Sequence, residues 1–448
     1  MMDKKQNIYF LGIGGIGMSA LARYFFSKGN KVTGYDKTPS PLTLKLEEEG
    51  ILIHYEDNPN LIPEDIDFVV LTPAIPKDSL ELNYLREKNV KIIKRAEVLG
   101  EISNHYKSIA VAGTHGKTTV TALITHLLKV ADKKMSAFVG GIAKNINSNV
   151  VVGDENDEIV VMEADEFDRS FLQLTPYISV VTSIDPDHLD IYGDEQQLVD
   201  GFNQFVNKTR QDGVVIYNEN LNLITDRKKL SYGFEDADVM AREVRIENGT
   251  TKFSLVTKEG LDFGEFEMQL FGMHNVMNAM AAITSCLQLN VDLKTLKEGL
   301  SAFQGVQRRF DIRYKDDKKC YIDDYAHHPE EIRATLKAAR NMYPDRELTL
   351  IFQPHLFSRT RDFMSEFAET LSLADRLILM EIYPAREKTI PGVTSTVLLD
   401  KIICKEKFLC QKDELLNVIK DIKPELLITM GAGDIDRFVP QIEMLYKS

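Results

Sequence analysis

The chain of 448 residues has only four cysteines, Cys286, Cys320, Cys404 and Cys410. None stands in a C-x-x-C pair or a histidine-rich stretch, which argues against a zinc ribbon or a redox motif and leaves buried free thiols. No run approaches the roughly 18 apolar residues of a membrane span. The opening Met-Met-Asp-Lys-Lys-Gln carries no apolar signal core, so a cytoplasmic enzyme is expected. Positive charge is in short supply, with 54 Lys and Arg against 68 Asp and Glu and a net charge of −14. That balance weighs against nucleic acid as the main partner, because phosphate backbones need concentrated Lys and Arg. Low-complexity linkers and internal repeats are missing too, and no Ser-His-Asp or Cys-His arrangement proposes a covalent nucleophile.

What is present is an α/β pattern. Short Val/Ile-rich runs at 8–13, 32–35 and 68–71 alternate with helix-like stretches such as Met18–Lys28. A second series has strands at 108–112, 159–162, 178–182 and 214–217, and a third at 321–323, 348–352, 376–380 and 426–430. Such alternation predicts mainly parallel sheets covered by helices. Between Val239 and Leu270 the pattern turns to alternation around Asn248-Gly249, which predicts an antiparallel hairpin or small sheet. A helix is expected from His274 to about Leu287. The chain divides into three domains, 1–107, 108–307 and 308–448, joined by short hinges.

The most informative stretch is Gly113-Thr114-His115-Gly116-Lys117-Thr118-Thr119, between a strand-like run and the helix-like run Val120–Val130. A glycine-rich turn there lets backbone N–H groups close around phosphate oxygens. Lys117 can then reach the terminal phosphates, and the Thr118 hydroxyl can ligate Mg²⁺. The general phosphate loop wants glycine at position 111, where Val111 stands; the extra glycine is displaced to Gly113.

Two strand ends supply carboxylates. Glu163, last on an apolar run, is the best Mg²⁺ ligand, with Asp165 and Glu166 expected in an outer shell or facing solvent. Asp185, Asp187 and His188 follow the next strand. His188 can complete a second metal site or serve as a hydrogen-bonded loop residue.

Near the N-terminus, Gly12, Gly14, Gly15 and Gly17 follow the first strand, and Asp36 ends the second. This is the context of a pyrophosphate on a helix N-terminus with an acid for the ribose. NAD and UDP-sugars fit it equally well, and an NAD-dependent oxidoreductase is the rival reading. A phosphate loop directly behind it suits an enzyme that activates a UDP-linked substrate with ATP.

The motifs taken together resemble the Mur ligase family, the ATP-dependent amide ligases of bacterial peptidoglycan synthesis. They include Glu163-Ala-Asp-Glu166, Asp187-His188, Gly272-Met-His274-Asn275, Arg308-Arg309-Phe-Asp311, Asp324-Tyr325-Ala-His-His-Pro329 and Gln353-Pro-His355-x-Phe-x-Arg359, in family order. The resemblance implies a Rossmann-like UDP-substrate domain, a central phosphate-loop domain with a parallel sheet plus a small antiparallel one, and a C-terminal Rossmann-like domain. His115 and the Gly-x-Gly-Gly-x-Gly-Met loop point to the branch that joins L-alanine to UDP-N-acetylmuramate. A relative that joins a recycled tripeptide to the same UDP-sugar is the alternative.

Residue roles follow from the same resemblance. Lys117 and Thr118 serve the phosphates and Mg²⁺ (two ions expected, with Mn²⁺ as a substitute), and Glu163 and His188 the metal sites. His274 and Asn275 hold the adenine, and Arg309 and Asp324 the ATP ribose, from either side of the second hinge. The first glycine loop, Asp36 and Thr72 hold UDP, with His54 and Asn58 near the uridine. Tyr325, His355 and Arg359 meet the incoming amino acid. Blander readings stay open for Arg308-Arg309 as a solvated pair and for His327-His328 as a capped loop. Three ligand sites on three domains imply hinge closure. The sequence leaves monomer and homodimer equally open.

Overall fold

The computed structural model describes residues 5–154, 157–185, 194–247, 249–385 and 387–447. Asp187, His188, Asn248 and Arg386 lie outside the described residues.

The first sheet has five strands in the order Leu52–His54, Lys31–Tyr35, Asn7–Leu11, Phe68–Leu71 and Ile92–Lys94, all parallel. Its central strands are apolar and almost wholly buried, as parallel strands covered on both faces must be. From Asn7–Leu11 the chain crosses first to Lys31–Tyr35 and later returns on the other side at Phe68–Leu71. That reversal opens a crevice beyond Leu11 and Leu71, where α/β sheets bind ligands.

The second sheet has ten strands. Its order is Asp262–Met268, Thr250–Thr257, Val239–Glu247, Lys228–Gly233, Val214–Asn218, Ile178–Val181, Lys107–Ala112, Ile159–Glu163, Met135–Ala143 and Ser148–Val151. The strands from Val239–Glu247 to Met135–Ala143 run parallel, and both margins are antiparallel. The alternating segment after Val239 is therefore an antiparallel extension of the same sheet. Its register holds by burying one side of each strand, as in the half-buried pattern of Thr250–Thr257.

The third sheet orders Asp311–Lys315, Cys320–Asp324, Leu426–Met430, Leu348–Phe352, Arg376–Met380 and Glu406–Cys410, parallel except for its first pair.

Residues Met1–Gly305 form one compact unit and Val306–Ser448 another. Within the first unit, a continuous apolar core runs from Ile8, Phe10 and Phe25 through Ala110 and Phe138 to Phe202. Polar clamps reinforce it: Arg23 Nη1 donates to Asn149 Oδ1 at 2.7 Å, and Asn149 Nδ2 donates to the Ile16 carbonyl at 2.6 Å. The first two sheets are thereby fixed to one another, which gives the two glycine loops a defined relation.

Candidate active site

The phosphate loop leaves the strand Lys107–Ala112 and enters the helix Lys117–Val130. The helix starts at Lys117, earlier than the periodicity alone suggests. Gly116 makes this possible by adopting φ +84°, a left-handed turn that costs an L side chain energy but is open to glycine. No side chain caps this helix, so its first N–H groups are directed at the loop's concavity. The neighbouring strand end braces the loop. Thr114 N–H donates to the Ser183 carbonyl at 3.1 Å, His115 N–H to Ser183 Oγ at 2.9 Å, and Thr114 Oγ1 to Asp185 Oδ2 at 3.2 Å. The His115 ring lies 3.6 Å from the Asp185 carboxylate.

Lys117 does not point into open solvent. Its Nζ donates to both Glu166 oxygens, at 2.9 and 2.8 Å, and to the Gly113 carbonyl. Burial alone would lower the lysine pKa, but Glu166, joined by Asp165 and Glu163, outweighs it and holds the ammonium above its ordinary value. Glu166 was expected in an outer shell or facing solvent. Its side chain is 1% exposed, because the turn into the short helix Phe167–Gln173 folds it under the loop.

Glu163 ends the strand that pairs with the phosphate-loop strand, directly opposite Val111. Its Oε1 accepts the Gly140 N–H at 2.7 Å, and a Cβ on Gly140 would overlap the carboxylate. Thr118 is buried at the helix start. Among the described residues no three His, Cys, Asp or Glu side chains group to hold a metal. The local donors that suit one are hard oxygens, the Thr118 hydroxyl and the Glu163 carboxylate. Such a set matches Mg²⁺, which keeps waters and takes phosphate oxygens as its other ligands. His188 lies outside the described residues, as does Asp187.

The helix Met273–Leu287 packs against the phosphate-loop helix. His274 is exposed at its start. Asn275 is buried, and its amide is used internally: Nδ2 donates to the Phe271 carbonyl at 2.8 Å and Oδ1 accepts from Asn278 Nδ2 at 3.1 Å. The two residues thus differ, one offering an accessible ring and the other fixing the turn that presents it.

In the first sheet, Gly12 and Ile13 donate to the Tyr35 carbonyl, at 2.8 and 3.0 Å, and Gly15 precedes the helix Ile16–Ser27. Asp36 occupies the expected place at the end of the second strand. Its Oδ2 accepts the Gly14 N–H at 2.7 Å, so the acid also shapes the loop. Arg95 crosses Gly17 so closely that a Cβ there would displace the guanidinium. The same guanidinium reaches Asp165, with Nη2 3.4 Å from Oδ2. Arg95 and Glu163 both line a cleft with Asp165 and Ser170. Thr72 sits beyond the end of Phe68–Leu71 beside Gly12. His54 and Asn58 lie together near the outer strand and share Glu81.

In the second unit, Asp324 is buried and already bonded. Its Oδ2 accepts Phe310 N–H at 3.0 Å and Thr335 Oγ1 at 2.9 Å, and its Oδ1 accepts Ala326 N–H at 2.9 Å. Burial raises its pKa, against the pull of Arg309. Arg309 belongs to this unit as well, so the two do not stand on opposite sides of the boundary at Gly305. The guanidinium groups of Arg308 and Arg309 each stand 5.1 Å from the Tyr325 ring centre. Arg308 is no solvated residue: it donates to the Gly431 carbonyl at 2.6 Å. His355 stacks on Tyr383 and meets His327 edge-on, and His327 meets Tyr325. Burial pulls His327 down to about 4, against the nearby Glu331 carboxylate and with Arg359 pushing the same way as burial, while the rings of Tyr325 and His355 flank the imidazole.

Residues 7–107 match the family model "Mur ligase family, catalytic domain", residues 111–286 "Mur ligase middle domain", and residues 308–433 "Mur ligase, glutamate ligase domain". The chain is 46% identical to the UDP-N-acetylmuramate--L-alanine ligase of Cytophaga hutchinsonii, over 98% of this chain and 96% of that protein. It belongs to the Mur ligase family. Among solved structures, this Mur ligase is similar to UDP-N-acetylmuramate-alanine ligase MurC from Thermotoga maritima, with a TM-score of 0.86, 29% identity and 99% of each chain covered. It shares its fold with a murein peptide ligase from Psychrobacter arcticus, at a TM-score of 0.73, 23% identity and 98% of each chain covered.

Sequence reasoning missed four residues that shape this Mur ligase's candidate site: Arg95, Gly140, Glu166 as the partner of Lys117, and Glu81. Gly140 is adjacent to a second glycine, Gly141, inside an apolar run, a signal of close backbone approach that could have been used. Arg95 carried no such signal.

Proposed function

We propose that the chain is an ATP-dependent ligase that forms an amide between the lactyl carboxylate of UDP-N-acetylmuramate and the amine of L-alanine, in peptidoglycan precursor synthesis. The observation that carries this reading is full-length similarity to UDP-N-acetylmuramate--L-alanine ligases at 46% identity, with a phosphate loop whose lysine is held by the buried carboxylate of Glu166. We assign residues 1–107 to the UDP-linked substrate, 108–307 to ATP and 308–448 to the amino acid. The work belongs in the cytoplasm, where ATP is available.

A carboxylate does not react usefully with an amine until an oxygen becomes a leaving group. One carboxylate oxygen attacks the γ-phosphorus of ATP, the bond to the β-phosphate oxygen breaks, and ADP departs. The alanine α-amine then adds to the acyl phosphate carbonyl, loses its proton, and expels inorganic phosphate. Lys117 follows the transferring phosphoryl group and balances its charge, while first-turn N–H groups hold its oxygens. Thr118 and Glu163, with His188 for a second ion, would hold Mg²⁺, which supplies charge neutralisation for the phosphates when bound.

Other assignments follow the family motifs. Gly12, Gly14, Gly15, Gly17, Asp36 and Thr72 take the UDP pyrophosphate and ribose, with His54 and Asn58 at the uracil. Gly113, Thr114, His115, Gly116 and Thr119 surround the ATP phosphates, and His274 and Asn275 serve the adenine. In the second unit we assign Arg309 and Asp324 to ATP, and Tyr325, His355 and Arg359 to the amino acid.

The test is phosphate release from ATP with UDP-N-acetylmuramate and L-alanine, glycine, serine or tripeptide in parallel. Amide formation dependent on L-alanine supports the reading. Preference for the tripeptide would move the chain to the recycling activity, and phosphate release that needs neither partner would contradict ligation.

A further inference from the structure

Between the central strand of the first sheet and its outer strand Leu52–His54 lies a buried polar cluster that the reaction itself does not use. Tyr9, on the strand Asn7–Leu11, is fully buried, and its hydroxyl oxygen lies 2.6 Å from Glu81 Oε2 and 2.8 Å from His54 Nε2. Glu81, in the first turn of the helix Leu80–Glu87, is also fully buried. Its Oε1 accepts the Asn58 N–H at 3.0 Å. His54 Nδ1 stands 2.9 Å from the Glu56 carbonyl oxygen, and the imidazole keeps one partly exposed edge between the rings of Tyr9 and Tyr35.

Proton counting constrains this cluster. A carbonyl oxygen only accepts, so His54 Nδ1 carries a proton. If the imidazole is neutral, Nε2 accepts the Tyr9 O–H. Tyr9 then has no proton left for Glu81, and Glu81 must be protonated and donate from Oε2 to the tyrosine oxygen. If the imidazole is charged, Nε2–H donates to the tyrosine oxygen and Tyr9 donates to an ionised Glu81. Both arrangements hold the same number of protons, one more than an ionised Glu81 beside a neutral His54. Removing that proton leaves two acceptors facing a single hydroxyl hydrogen, and one buried hydrogen bond is lost.

We propose that Glu81 and Tyr9 are positioning residues that act through this shared proton to hold the His54 imidazole as one wall of the uracil pocket. The inference rests on the UDP-sugar reading of the first glycine loop. Burial raises Glu81 to about 7; the Tyr9 and Asn58 hydrogen bonds oppose it and Asp57 reinforces it. Burial lowers His54, against Glu56 and Asp57. The other ionisable groups facing the cluster are Tyr35 and Asp36, from the neighbouring strand and its end.

The experiment measures the Kd of UDP-N-acetylmuramate for the full chain by calorimetry at about pH 6 and about pH 8. Wild type is expected to bind about tenfold more weakly at the higher pH, the effect of one lost buried hydrogen bond. Glu81→Gln can donate from its amide nitrogen to the tyrosine oxygen while its carbonyl accepts Asn58 N–H. It should match the low-pH wild type at both pH values. Tyr9→Phe should bind about tenfold more weakly than that at both. A wild-type Kd that does not change with pH, or a pH slope that survives in Glu81→Gln, would overturn the relay while leaving UDP-sugar binding in place. Failure of wild type to bind the UDP-sugar at either pH would overturn the reading beneath it.

Discussion

Lys117 of the phosphate loop and Glu166 beneath it form an ion pair, with Nζ 2.8 Å from Oε2. A lysine held this way is pre-positioned: it can exchange a carboxylate for phosphate oxygens without crossing solvent. Lys117→Ala should lower kcat by about a hundredfold to a thousandfold, the range seen when one preorganised charge-stabilising donor is lost. UDP-N-acetylmuramate affinity should stay unchanged, as read by calorimetry beside a phosphate-release assay. Unchanged ligation in this variant would remove the loop from the chemistry.

Gly140 and Glu163 make a second close contact. Gly140→Ala places a methyl group where the Glu163 carboxylate now sits, so the carboxylate must move away from the backbone N–H it now accepts. The Mg²⁺ concentration needed for half-maximal rate should rise by about tenfold, as when a partner that orients a metal ligand is removed. Titrating the variant with Mg²⁺ at saturating ATP checks this, and a wild-type Mg²⁺ requirement would free Glu163 of the metal role.

Arg95 links the first glycine loop to the acidic segment after Glu163, lying across Gly17 and bonded to Asp165. Under the proposed assignment of the first glycine loop, a UDP-linked substrate brings negative charge to this place. Arg95→Ala should raise KM for UDP-N-acetylmuramate by about tenfold or more, the scale of a lost charge-assisted hydrogen bond. KM for ATP should move little. Arg95→Lys should recover only part of the loss, because an ammonium cannot span two partners as the planar guanidinium does.

Glu81 also makes a stability prediction. Its pKa rises from 4.5 unfolded to about 7 folded, so the folded state holds the proton more tightly. The stabilisation is complete below the unfolded value and is lost as pH climbs through the folded one. Relative to Glu81→Gln, wild type should lose about 3 kcal/mol of unfolding free energy between about pH 4.5 and about pH 8. Urea unfolding of both proteins across that range measures the difference, and parallel curves would contradict it.

Local features of this chain were legible in its sequence. The loop glycines, Lys117 and the strand ending at Glu163 announce themselves through short-range pattern, because the chemistry requires those residues at adjacent positions. The alternation after Val239 likewise gave the antiparallel strands, although not their continuity with the phosphate-loop sheet. Lys228–Gly233 escaped notice because two lysines open it and only its second half is buried. The less legible parts depend on residues distant in sequence. Tyr9 meets Glu81 across 72 positions and Arg95 meets Asp165 across 70, and no periodicity encodes such pairs. The burial of Glu166 depends on how the chain turns after Asp165. Asp36 shows the intermediate case: its spacing gave its place, but not its hydrogen bond to Gly14.

The most direct test of carboxylate activation follows an oxygen atom. UDP-N-acetylmuramate labelled with ¹⁸O in its lactyl carboxylate is converted with ATP, Mg²⁺ and L-alanine, and the released phosphate is analysed by mass spectrometry. An acyl phosphate route requires each released phosphate to carry one oxygen from that carboxylate, with one phosphate formed per amide. Phosphate free of label, alongside amide product, would contradict it.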